Sequence, residues 1–152
     1  MLVIGFRCGP DWAQWVCVSG TRAAPVVIDA GKVKIPVNLE RPAALAWLLK
    51  EIQTIVAQQQ PNAAAWKKPE SGPARGRRND DRVEAEAILQ AAVHGVGVDE
   101  IKGFVKRSLK KILNFEGEAR DVTDVVDGLA GLGTQIEELE AAVAAVALLP
   151  EV

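Results

Sequence analysis

The sequence predicts an α/β protein built on a mixed five-stranded sheet, three antiparallel strands followed by β-α-β crossovers, with helices on its flanks. Three observations predict it. Residues 1–37 are short apolar runs separated by turn signals, and residues 40–60 carry an unbroken helical periodicity. Beyond them short strands and helices alternate, the order expected when later strands reach the sheet by helical crossover.

Leu2 to Cys8 and Ala13 to Ser19 are rich in Val, Ile, Phe and Trp and flank Gly9-Pro10-Asp11, which marks a hairpin. Pro25 to Ala30 and Lys32 to Val37 follow, separated by Gly31. The second of these alternates apolar and basic residues as a half-exposed edge strand does, so the third strand is expected to be bent or bulged. From Glu40 to Gln60 the residues Leu45, Leu48, Leu49, Ile52, Ile55 and Val56 fall at helical spacing, with Pro42 in the first turn and Pro61 ending the run.

Ala63 to Lys67 reads as strand four, and a loop rich in Pro, Gly and Arg runs on to Asn79. Asp81 and Glu84 form a capping-box pattern for a helix through Val93, stopped by Gly95. A short strand is expected around Val96 to Ile101. Three helical pieces complete the chain: Val105 to Asn114, Asp121 to Leu132, and Thr134 to Leu149, the last with Ile136, Leu139, Val143 and Val146 on one stripe.

A chain of 152 residues suits a single domain over 1–152, with 134–152 as an additional C-terminal helix. It is 49% apolar and 25% charged, too apolar for a disordered chain. A net charge of -2 gives no global attraction to DNA or to acidic membranes, so any such attraction must be local. The longest apolar stretch, Ala141 to Leu149, is too short to span a bilayer, and residues 1–20 lack the pattern of a signal peptide. A cytoplasmic protein without a membrane partner is expected, in which Cys8 and Cys17 serve as small buried apolar residues.

Two cations stand in unexpected places. Arg7 lies near the end of the first apolar run and Lys67 ends the fourth, where an obligate charge requires a counter-charge or solvent. Val3-Ile4-Gly5-Phe6-Arg7-Cys8-Gly9 resembles a Gly-Ile-Asp-Pro-Gly first strand, and Ala65-Trp66-Lys67 sits where a second acid ends strand four. Asp121-Val122-Thr123-Asp124-Val125-Val126-Asp127-Gly128-Leu129-Ala130 resembles a helix carrying two acids three apart before Ala-Leu-Ala. With the element order, these stretches make the chain up to Leu132 resemble the ribonuclease H-like superfamily, and most nearly the RuvC type of Holliday-junction resolvase.

That resemblance implies four carboxylates holding two magnesium ions, with oxygens about 2 Å from each metal and the metals roughly 4 Å apart. Position by position, Arg7 and Lys67 replace two of the acids and only Asp124 and Asp127 remain. An arginine cannot ligate a metal, and an ammonium repels one. The expectation is a degenerate site, Arg7, Lys67, Asp124 and Asp127, in which the cations pair with the aspartates and no cofactor is bound. A helical wheel opposes this, since Val122, Val125, Val126 and Leu129 place both aspartates on the other face, where they would be a solvated acidic surface.

Nucleic acid, DNA or RNA, is the expected partner through the basic loop 67–82, where Lys68, Arg75, Arg77, Arg78 and Arg82 would hold phosphates. Lys102, Lys106, Arg107, Lys110 and Lys111 add a second basic stretch. An ordinary solvated loop and helix face is the competing reading. Gly72 to Arg77 lacks the Gly-Lys-Ser/Thr ending of a phosphate loop, and His94 has no assignable catalytic partner. The leading function is a catalytically degenerate, nucleic-acid-binding or structural domain. The alternatives are a protein-interaction subunit or homodimer, using strand Lys32 to Val37 and the apolar terminal helix, and an active magnesium nuclease. In the last, Asp124 and Asp127 would bind metal, joined by Asp11 and Glu70.

Overall fold

The computed structural model describes residues 1–70 and 77–152, with side chains from Asp80 onward in the second stretch. Strand β1 (Leu2–Cys8) runs antiparallel to β2 (Trp12–Gly20), which pairs antiparallel with β3 (Pro25–Lys34). Helix α1 (Arg41–Gln59) crosses to β4 (Ala63–Lys67), parallel to β1, and α2 (Arg77–Gly95) crosses to β5 (Glu100–Phe104), parallel to β4. The sheet order is β3-β2-β1-β4-β5, the mixed five-stranded sheet expected. Helix α3 (Lys106–Ile112), a 3-10 helix (Ala119–Val125) and α4 (Ile136–Leu148) complete the described chain.

Alternation along the strands divides the core between two faces. Ile4, Phe6, Cys17, Ala64 and Trp66 meet Leu48, Ile52 and Val56 of α1 and Ala85, Leu89 and Val93 of α2. Val3, Val16, Val18, Ala63 and Ala65 meet α4 and Leu109 of α3 on the other face. The bulge foreseen in the third strand falls at Ile28, between the pairs Cys17↔Asp29 and Val18↔Val27, and Gly31 lies within one continuous strand under the Trp15 ring.

Several expectations change. Strand five begins at Glu100 rather than Val96, because Val96 to Val98 form a turn in which Gly97 takes φ +102°. Helix α2 opens at Arg77, so Asp81 is no cap; it and Glu84 instead bind Arg41, at 3.8 and 2.9 Å from its Nε, tying α2 to α1. The helix expected over Asp121 to Leu132 is a 3-10 turn as far as Val125, followed by turns in which Gly128 and Gly131 have φ +82° and +85°. Helix α4 is buried from Leu139 to Ala147, so the interaction face expected there is already used by the sheet.

Cys8 and Cys17 are free and buried. Cys17 pairs with Ile4, four residues up the strand from Cys8. At about 3.4 Å per residue the offset along the strand alone is roughly 14 Å, beyond the roughly 7 Å between Cα atoms that a disulfide can span. Among the described residues no helix is long and apolar enough to cross a membrane.

Candidate functional site: an ion cluster at the strand ends

Gly5 and Ala65 are register partners on neighbouring parallel strands, and both face α4. A methyl group at Gly5 would overlap the Ala141 carbonyl oxygen and stand 2.8 Å from the Ala145 Cβ, so only glycine admits the helix this close. Two residues further along each strand, on the same face, come Arg7 and Lys67. The residue that α4 brings to them is Glu140.

Glu140 bridges the strands. Its Oε1 accepts a hydrogen bond from Arg7 Nε at 3.2 Å, and its Oε2 lies 3.8 Å from Lys67 Nζ and 4.0 Å from Lys106 Nζ. The carboxylate side chain is 10% exposed and that of Lys67 only 2%. Lys67 Nζ also contacts Glu70 Oε1 at 2.8 Å, an oxygen that accepts the Lys106 backbone N–H at 2.8 Å. Arg7 donates through Nη1 to the Cys8 carbonyl, and its guanidinium carbon lies 5.3 Å from the centre of the Trp12 ring. Lys32 Nζ is 4.7 Å from the same ring centre, so this tryptophan serves two cations.

Burial lowers the pKa of Lys67 below its ordinary value, with Glu70 and Glu140 opposing the shift. Glu70 is lowered as well: burial acts to raise it, but the hydrogen bonds from Lys67 and from the Lys106 backbone outweigh that. A second network lies on the α2 face. Arg82 binds Glu86 Oε2 at 2.9 Å and the Lys67 carbonyl at 3.0 Å, while Trp66 Nε1 donates to Glu86 Oε1 at 3.0 Å. Burial raises the pKa of Glu86 and lowers that of Arg82, which Arg7 lowers further.

The structure brings together Arg7 and Lys67 but not the late aspartates. Asp124 and Asp127 are exposed, on the 3-10 helix and the turn after it, and the carboxylate that both cations meet is Glu140. The solvated-face reading of the aspartates is the one that holds. A signal for Glu140 was present: Glu137 and Glu140 are also two acids three apart, followed by Ala141-Ala142-Val143. Among the described residues no group of three or more His, Cys, Asp or Glu side chains is placed to hold a metal ion. Glu140 and Glu70 are both bound by ammonium groups, and Asp11 is exposed in the β1–β2 turn, so the residues present do not fit a pair of magnesium ions.

Of the predicted phosphate-binding residues, Lys68 is exposed, whereas Arg82 is 14% exposed and turned inward. Arg77 and Arg78 lie in the first turn of α2, and Arg75 falls outside the described residues. On the second basic stretch Lys102, Arg107 and Lys111 are exposed, and Lys106 and Lys110 are half-buried. Exposed His94 is 4.0 Å from exposed Asp99 and belongs to neither network.

No protein-family model matches the chain. No curated protein matches it at a significant level. Solved structures do. Thermus thermophilus RuvC superposes with a TM-score of 0.80 at 15% identity, over 97% of this chain and 92% of that one. T. thermophilus RuvC in complex with Holliday junction substrate gives 0.76 at 14% identity, over 97% and 91%. The yeast mitochondrial Holliday junction resolvase Ydc2 gives 0.61 at 10% identity, over 95% and 77%. The chain therefore has the ribonuclease H-like fold of RuvC-type resolvases.

Proposed function

We propose that this chain is a nucleic-acid-binding protein of RuvC fold in which side-chain cations stand in place of the cleavage metals, so that it holds DNA without cutting it. The observation that carries this reading is the Arg7–Glu140–Lys67 bridge across the ends of β1 and β4. The guanidinium stays charged at any physiological pH and cannot bind a metal. Lys67 lies against Glu140, so its ammonium would have to leave before an ion could reach that carboxylate. On this reading the protein acts in the cytoplasm as one domain.

Exposed Lys68 after β4, Lys102 on β5, and Arg107 and Lys111 on α3 supply positive charge on a chain of net charge -2, for phosphate contacts without base readout. Holliday-junction DNA, bound in one of the similar structures, is the first substrate to test. Binding of a labelled four-way junction in EDTA should weaken steeply with salt, with the DNA left intact in magnesium or manganese. Metal-dependent cleavage abolished by Glu140→Gln would overturn the reading, as would absence of binding at low salt.

A second reading, an oligomeric interaction subunit, draws on Val26 and Ile28, each 53% exposed on edge strand β3. Failure to bind DNA together with a stable dimer by light scattering would favour it.

A further inference from the structure

The charges in the cluster do not cancel. Among the described residues three cations, Arg7, Lys67 and Lys106, share two carboxylates, Glu140 and Glu70, which leaves one positive charge in excess. The excess is concentrated on the half-open members. Among the described residues Lys106 Nζ makes no close ion pair, lying 4.0 Å from Glu140 and 3.5 Å from the Arg120 carbonyl oxygen. Arg7 uses Nε and Nη1 on Glu140 and the Cys8 carbonyl, and its Nη2 has no hydrogen-bond partner among the described residues. The two side chains are 18% and 22% exposed, whereas Lys67 is 2% exposed and out of reach.

Resting on the reading above, we infer that the cluster itself seats one backbone phosphate of the bound nucleic acid, held by Arg7 and Lys106 above Glu140. The chemistry matches in sign and size: a phosphodiester carries one negative charge, and the cluster has one positive charge to offer. Arg7 is held by Glu140 below and Trp12 beside it, so little side-chain freedom is lost when the anion arrives. The place matches as well, since ligands of open α/β sheets bind beyond the carboxyl ends of the strands. Glu70, half-exposed on the rim, binds the Lys67 ammonium and the Lys106 backbone N–H, both at 2.8 Å, and so fixes where Lys106 enters the cluster.

The test measures anisotropy of a labelled four-way junction in EDTA across a salt series, for wild type, Lys106→Gln, Lys106→Arg and Lys50→Gln. Lys50 is exposed on α1 and serves as a control for bulk charge. Loss of one phosphate contact should lower the slope of log K against log salt by about one in Lys106→Gln, with the slope retained in Lys106→Arg and Lys50→Gln. A wild-type slope in Lys106→Gln, or an equal loss in Lys50→Gln, overturns the inference and leaves the DNA-binding reading standing. Absence of wild-type binding at low salt overturns both. Melting curves of all four proteins should coincide, because the half-exposed Lys106 has no close ion pair to lose.

Discussion

The guanidinium of Arg7 and the carboxylate of Glu140 meet at 3.2 Å although 133 positions separate them in the chain. Both are largely shielded from solvent, so removing one partner leaves the other charge poorly compensated. Arg7→Glu should destabilise the protein by about 3 kcal/mol, read from denaturant unfolding. The swap Arg7→Glu with Glu140→Arg should recover part of that loss. A single variant with wild-type stability would show that the bridge contributes nothing.

Gly5→Ala tests how Glu140 is placed. The added methyl would collide with the Ala141 backbone, which cannot yield as a flexible side chain would, and overpacking of this kind costs about 1–3 kcal/mol. Because the collision pushes on the residue next to Glu140, junction affinity should fall together with the melting temperature. Stability lost without any change in affinity would separate helix packing from the cluster.

Acid should weaken the fold partly through Glu70. Its folded pKa lies below the ordinary 4.5, so the folded state holds the carboxylate charged where the unfolded chain takes up a proton. That contribution is complete above pH 4.5 and is lost as pH falls through the depressed value. Glu70→Gln should flatten the acid limb of a stability-versus-pH curve and lower stability at neutral pH; an unchanged limb would contradict the assignment.

Restoring acids should restore a cation site. In Arg7→Asp with Lys67→Glu, two new carboxylates would converge on Glu140, a set of hard oxygens suited to manganese or magnesium. The double variant should be less stable than wild type in EDTA and gain stability on adding manganese, while wild type does not respond. Equal responses from the two proteins would mean that these positions do not form one centre.

Cys8 and Cys17 should be silent in the folded protein. Burial pushes both thiols up to about 12, so almost no thiolate exists at neutral pH. A thiol reagent should label neither until the protein unfolds and both afterwards, and rapid labelling of native protein would contradict the packing.

The succession of strands and the change from antiparallel pairing to helical crossover were legible because each strand carries its own turn or helix signal. The two cations were legible for the same reason: a charge at the end of an apolar run conflicts with its surroundings. Their partner left only the spacing of Glu137 and Glu140 as a signal, which did not say which way Glu140 faces. Helix α4 is buried on nearly every side from Leu139 to Ala147, and a one-stripe wheel through Ile136, Leu139, Val143 and Val146 gave Glu140 no particular direction. Ile136 on that stripe is 46% exposed. Asp124 and Asp127 had the expected spacing, but positive φ at Gly128 and Gly131 breaks up the helix they were assigned to. The inward turn of Arg82 depends on Glu86 and the Lys67 carbonyl, two contacts that charge counting along a loop does not reveal.

The dependence of β1 on α4 also sets an order of events during synthesis. A growing chain makes Arg7 and Lys67 long before Glu140, and until α4 emerges the faces of Val3, Gly5 and Ala65 lack the helix that packs most closely on them. Closure of this sheet face therefore falls late in synthesis, and a nascent chain stalled before Leu139 would leave much of it open.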